Sequence, residues 1–184
     1  MVGVMSPYKL GTGDYHPRQT PGGVIDVPWT ERDGVVGSDC AGFAISWCHQ
    51  LKRHRPGFNH GAWATVSDDL NTDSCVEDAR HKRELFEEIT RPEPGCLLVY
   101  KSIRLPDHAP PYHLIGHVAI VLEVPAEWDP AHPQYELLTV AQCKGPNRRE
   151  PAVVKTDGSV WSHHDSVWSK PEHRSVLVRV ISST

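Results

Sequence analysis

After Pro94 the period of the chain changes from helical to two, and strand-like apolar runs follow one after another. Residues 95–100 (GCLLVY), 117–124 (HVAIVLEV), 135–143 (YELLTVAQC), 152–155 and 175–181 each read as a strand. Strands that follow one another through turns and polar loops, without helices between them, build an antiparallel sheet. Ahead of them the period is helical. Cys40, Ala44, Trp47, Cys48 and Leu51 fall on one face of a helix over residues 38–55. Ser38 or Asp39 supplies its N-cap oxygen, Lys52, Arg53 and Arg55 suit its C-terminal dipole, and Pro56-Gly57 stops it. A second, more polar helix is expected over residues 74–89, ended by Pro92 and Pro94. One helix face packed on an antiparallel sheet is an α+β fold.

The chain has 184 residues, which suits a single domain over 1–184 at roughly 100–200 residues per domain. Residues 1–33 are rich in Gly, Pro and polar groups and read as an extended arm or loop, with residues 23–27 the one strand-like piece. Sixteen prolines, where a usage of about 5% would give roughly nine, favour a loop-rich fold over a helical bundle. A net charge of −4 gives no general electrostatic reason to bind nucleic acid or an anionic membrane. The N-terminus lacks the basic start and apolar run of a signal peptide, and no stretch approaches about 18 consecutive apolar residues. The expectation is a soluble product made in the cytoplasm, without membrane insertion.

Five cysteines cannot all pair, so at least one thiol is left over. Cys40 stands at the head of the first helix, where unpaired amides and the helix dipole lower a thiol pKa from its usual value of about 8.5. Such a thiolate is a nucleophile once a base is beside it. The bland alternative is a small buried hydrophobe. Alternation puts His117, Ala119 and Val121 on one face of their strand, and Leu138, Val140 and Gln142 on one face of the next. If those faces coincide, an imidazole and an amide line up beside each other.

These residues carry a family resemblance. Asp39-Cys40-Ala41-Gly42-Phe43 resembles the Asp-Cys-Ser-Gly-(Leu/Phe) box of the NlpC-type cell-wall cysteine peptidases, a papain-like group. Gly95-Cys96-Leu97-Leu98-Val99-Tyr100 is similar to that family's Gly-Asp-Leu strand, and Gly116-His117-Val118-Ala119-Ile120 to the strand that carries its catalytic histidine. Gln142 falls where the family has its third polar residue. The resemblance spans residues 34–147 and implies a papain-like domain in which Cys40 is nucleophile, His117 base, and Gln142 the group that orients the ring. The Cys40 amide would donate to the oxyanion. Asp39 and Tyr15, with Trp29 behind them, are further candidates for the oxyanion and substrate site. Ala41 stands where the family has Ser, and Cys96 where it has Asp, so the local hydrogen bonding of those positions does not carry over. Residues 103–115 form a longer loop than the family has, suited to wall or cover a substrate groove.

The implied activity is hydrolysis of an amide in peptidoglycan through a thioester, either within the stem peptide or at the muramoyl-L-alanine bond, with no cofactor and no metal. The implied partner is the stem peptide or a related amide. The implied setting is the cell wall or periplasm, reached after release or delivery, as for a phage lysin or a delivered effector. Two rivals remain: a papain-like acyltransferase or deamidase on a non-wall amide, and a non-enzymatic phage structural module with a decayed site. Of the twelve histidines, His49 and His54 are expected on the helix's polar side, and His163 and His164 in a solvated loop. His113 and His117 are four apart but flank a strand start, which is not a helical zinc pair; His108, His113, Cys96 and Cys143 could be assembled into a site on paper, but no two of the five cysteines form a CxxC. Cys48 is expected in the core and Cys75 at the surface. The tryptophans are core or groove wall, and Lys144, Arg148 and Arg149 a solvated basic loop.

Overall fold

The structure is a computed structural model that describes residues 18–20, 23–25, 40, 44, 48, 71–105, 112–143, 153–168 and 170–181. Strands β1 (Arg18–Thr20) and β2 (Gly23–Ile25) pair antiparallel. Helix α1 (Thr72–Glu77) runs into a π-helical turn over Asp78–Lys82. Strands β3 (Phe86–Ile89), β4 (Leu97–Tyr100), β5 (Ile103–Leu105), β6 (Tyr112–Leu114), β7 (His117–Glu123), β8 (Thr139–Cys143) and β9 (Val153–Asp157) follow. Helix α2 (Ser159–Val167) then leads to β10 (Val176–Val180).

Six strands form one sheet in the order β3-β10-β4-β7-β8-β9, antiparallel at every pairing. β5 and β6 form a separate hairpin within the segment expected to be a long loop. The mixed helix and antiparallel sheet agree with the expected α+β class. The expected strands recur with ends shifted by one or two residues, β9 running on to Asp157, except that residues 135–137 form a 3-10 turn ahead of β8.

Both faces of the sheet are covered. On one face Leu97, Val99, Val118, Ile120, Val176, Val178 and Val180 pack with helical Cys40, Ala44 and Cys48 and with Cys75, Val76 and Ala79. On the other, Leu98, Tyr100, Ala119, Val121, Leu138, Val140 and Leu177 pack with Trp128, Tyr135 and Trp161. The unbroken apolar run Leu97-Leu98-Val99-Tyr100 explains the second layer. All four residues are buried, so β4 must be roofed above and below. The roof on the second face is α2, which the expectation of helix-free connections misses. Only Trp161 and His164 of this polar helix turn fully inward, an i, i+3 pair too sparse to announce an apolar stripe.

The second expected helix is also shorter than residues 74–89. It starts earlier, because the Asn71 side chain accepts from the amides of Asp73 (2.9 Å) and Ser74 (3.0 Å). It ends earlier because Arg83 takes a left-handed conformation (φ 55°), its amide bonded to the Asp78 carbonyl at 2.6 Å. The buried Asp78 carboxylate then accepts from the amides of Leu85 (2.9 Å) and Phe86 (2.7 Å) and turns the chain into β3. Replacing Asp78 with Ala leaves the buried Phe86 amide without its charged acceptor. Urea unfolding should show a loss of about 2 kcal/mol, and Asp78→Asn a smaller one.

Candidate active site

β7 enters the sheet under steric constraint. A Cβ on Gly116 would lie 2.1 Å from Thr72 Oγ1 and 2.8 Å from the Tyr100 carbonyl, so glycine lets the strand start pass against the head of α1. α1 is itself tied to the β4–β5 connection, where the Ser102 amide donates to Asp73 at 2.7 Å. The next residue is His117, first in β7 and opposite Tyr100 of β4. Gln142 of β8 lies opposite Ala119, so its amide reaches His117 along the diagonal, past a methyl group. A long side chain spans such a diagonal, which is about 7–8 Å between backbones.

That reach is made. His117 Nε2 and Gln142 Oε1 are 2.7 Å apart. With the amide oxygen as acceptor, Nε2 carries the proton, and Nδ1 of the neutral ring is the basic nitrogen. Trp161 stacks on the imidazole, centroids 5.2 Å apart and planes 21° apart, and Tyr100 lies at 6.1 Å, tilted by 52°. Burial pulls the His117 pKa below its ordinary 6.5, and the bond to Gln142 opposes that by favouring the charged ring. The result is an imidazole held neutral and in one tautomer.

The structure thus brings His117 and Gln142 together, and the two faces named from alternation do coincide. Cys40 is placed elsewhere. It is helical, 5% exposed, and packed in the cluster of Val118 and Ile120, whose side chains alternate to the opposite face from His117. Tyr15, Trp29 and Asp39 lie outside the described residues, as do His49, His54, Trp63, His108 and the basic cluster Lys144, Arg148 and Arg149. The side chains of His113 and Cys143 lie outside them too. Cys75, expected at the surface, is buried at 5% exposure because α1 turns it onto the Cys40 cluster. Burial raises the Cys48 and Cys96 thiols to about 12 and lifts Cys75 well above its ordinary value, so all three are poor nucleophiles at neutral pH.

Two residues were missed as part of this environment. His164 is not in a solvated loop. It is buried in α2, bonds the His173 carbonyl through Nε2 at 2.8 Å, and stacks flat on Tyr100 at 4.0 Å. Trp161, left between core and groove wall, is fully buried over His117. The one available signal was their i, i+3 spacing. Among the described residues no group of three His, Cys, Asp or Glu side chains is arranged to hold a metal, and no helix is long and apolar enough to cross a membrane. A groove of about 610 Å³ at the β3 edge is lined by Glu87, Glu93 and Arg179, whose charges pair with one another.

Comparison of the chain with protein-family models, with curated proteins and with solved structures finds no match.

A lowered histidine pKa means that the unfolded chain binds more protons than the folded one between the two values. The His117 contribution to stability is therefore complete above 6.5 and is lost as pH falls from 6.5 through the folded pKa. In an NMR titration the His117 ring should titrate below 6.5. Gln142→Leu, which keeps the site dry but removes the acceptor, should lower it further.

Proposed function

We infer that this chain is a papain-like cysteine amide hydrolase in which Cys40 attacks an amide carbonyl and His117 serves as the base. The observation that carries the reading is the His117–Gln142 hydrogen bond at 2.7 Å. It ties up Nε2 and leaves Nδ1 to take the thiol proton, while burial keeps the ring neutral and ready to accept it. The thiolate adds to the carbonyl, and the protonated imidazole gives its proton to the departing amine. Water, deprotonated by the same nitrogen, then releases the acid from the thioester and restores the thiol. Gln142 orients the ring without the charge of a carboxylate.

In this reading the thiol meets the imidazole at the rim of the sheet. His117 is the first residue of β7, one position after the point at which α1, a member of the Cys40 cluster, presses against Gly116. The substrate class rests on the resemblance of the Cys40 box and the His117 strand to NlpC-type peptidases: a peptidoglycan stem peptide, or the muramoyl-L-alanine amide.

A second reading, a non-enzymatic module with a decayed site, is favoured by one observation, the packing of Cys40 on the face opposite His117. Iodoacetamide labelling at pH 7 separates the two. An activated Cys40 labels faster than the buried Cys75, and a decayed one labels no faster. On purified sacculi, Cys40→Ala should cut the release of new ends by about 10³-fold or more while circular dichroism stays unchanged. Full activity in that variant overturns the mechanism. The ends themselves name the bond: a new amino group on L-alanine marks an amidase, and one between stem residues an endopeptidase.

A further inference from the structure

The two cores divide the described cysteines between them. Cys96 belongs with Leu98 and Tyr100 on the face that α2 covers, where its Sγ accepts from the Glu93 amide at 3.5 Å. Cys48 and Cys75 belong with Val99 and Val118 on the other face, and both are thiols here. Each sits on an inward stripe of helical residues. Cys40, Ala44 and Cys48 recur at every fourth position, and Thr72, Cys75, Val76 and Ala79 are buried positions of α1 and the turn after it. The Cys75 amide donates to the Asn71 carbonyl at 2.9 Å, which fixes its place in α1. Both side chains are closed to water, Cys48 at 1% exposure and Cys75 at 5%. Burial pushes the Cys75 thiol up, and the Cys48 thiol adds to that push, ahead of the Asp78 carboxylate. One thiol acts on another in this way only from close by, because the interaction falls with distance.

We propose that Cys48 and Cys75, which share one core, form a disulfide in an oxidising compartment and so tie the helical segment of Cys40 to α1. The tie matters to the site because the strand start ahead of His117 passes against Thr72 of the same α1. The two thiols give up two protons and two electrons, and a low-molecular-weight disulfide such as oxidised glutathione takes them and leaves as two thiols. One cysteine thiolate attacks that disulfide, forming a mixed disulfide and releasing the first thiol; the second cysteine then displaces the other. Raised thiol pKa values and burial slow this exchange in the folded chain, so the bridge forms during folding, while both sulfurs are in water. It closes a loop of about 27 residues and uses neither Cys40 nor Cys96. The oxidising setting rests on the proposed place of action at the cell wall. The choice of partners rests on the shared core alone.

The test is refolding of the full chain in a reduced and oxidised glutathione buffer, against refolding in dithiothreitol. Each sample is then denatured, labelled with N-ethylmaleimide and weighed by mass spectrometry. The dithiothreitol sample should carry a label on each of the five cysteines, and the glutathione sample on three. Chymotrypsin cleaves after Phe43 and Trp47, so its peptides part Cys40 from Cys48 and name the bridged pair in the wild type without any variant. The bridged protein should match the reduced one in circular dichroism and melt about 5–10 °C higher. Cys48→Ala and Cys75→Ala should each keep a label on all four remaining cysteines and lose the difference in melting temperature. Five labels in the glutathione sample, a bridge through any other pair, or a bridged protein that melts no higher overturns the proposal. Digestion of sacculi reads the hydrolase separately: failure of that reading leaves the mapped bridge standing, and absence of the bridge leaves the Cys40 chemistry untouched.

Discussion

The pairing of β4 with β7 is the constraint from which the rest of the molecule follows. Leu97, Leu98, Val99 and Tyr100 stand opposite Ile120, Ala119, Val118 and His117, and every residue of the two runs except His117 is buried. A buried pair of apolar strands sorts its side chains strictly by parity, because a slip of one residue would exchange the faces. Odd positions of β4 and even positions of β7 build one core with Cys40, Cys48 and α1; the remainder build the other with Trp161 and Tyr135. Fully burying side chains of this size contributes about 1.5–3 kcal/mol each, so the register is held by many such residues at once. His117 inherits its face from that register, and with it Tyr100, Trp161 and Gln142 as neighbours.

Polar groups finish what the apolar pattern begins. The Asp78 side chain accepts from the consecutive amides of Leu85 and Phe86 and its carbonyl closes the π turn, so one buried residue decides where helix gives way to β3. Across from that strand, Arg179 of β10 pairs with its register partner Glu87 at 2.6 Å and with Glu93 at 3.5 Å. These are partly exposed pairs, each worth a few tenths of a kcal/mol up to about 1. They mark the edge of the sheet with charge and do little for its stability.

The strands and the His117–Gln142 contact were legible because period-two alternation is a local property. Once β7 and β8 are adjacent, parity alone puts His117, Ala119, Gln142 and Val140 on one face. Helix α2 was not legible because its inward side is two residues wide, and the sequence SVWSHHDSV looks like a polar connection until the sheet beneath Trp161 exists. The shortened α1 has the same cause. Its last turn is set by a carboxylate reaching seven and eight residues ahead to the amides that lead into β3, a contact invisible to helical periodicity. Cys75 was misplaced for a related reason, since polar neighbours in sequence say nothing of which side of a short helix faces the core.

The division into two cores also bears on how a thiol and an imidazole meet in such a fold. A cysteine on a helix that covers one face cannot reach a histidine on the other through the sheet, since the strands between are close-packed. In the proposed hydrolase the meeting point would be the sheet's end, where no further strand residue intervenes. His117 is the residue of β7 that stands there, and Gly116 before it leaves no room for a Cβ against Thr72 of α1. A histidine two positions further along would be enclosed between β4 and β8, as Ala119 is, with no route to either helix head. In the proposed hydrolase, position along the strand, more than the face, is therefore the property that would qualify His117 as the base.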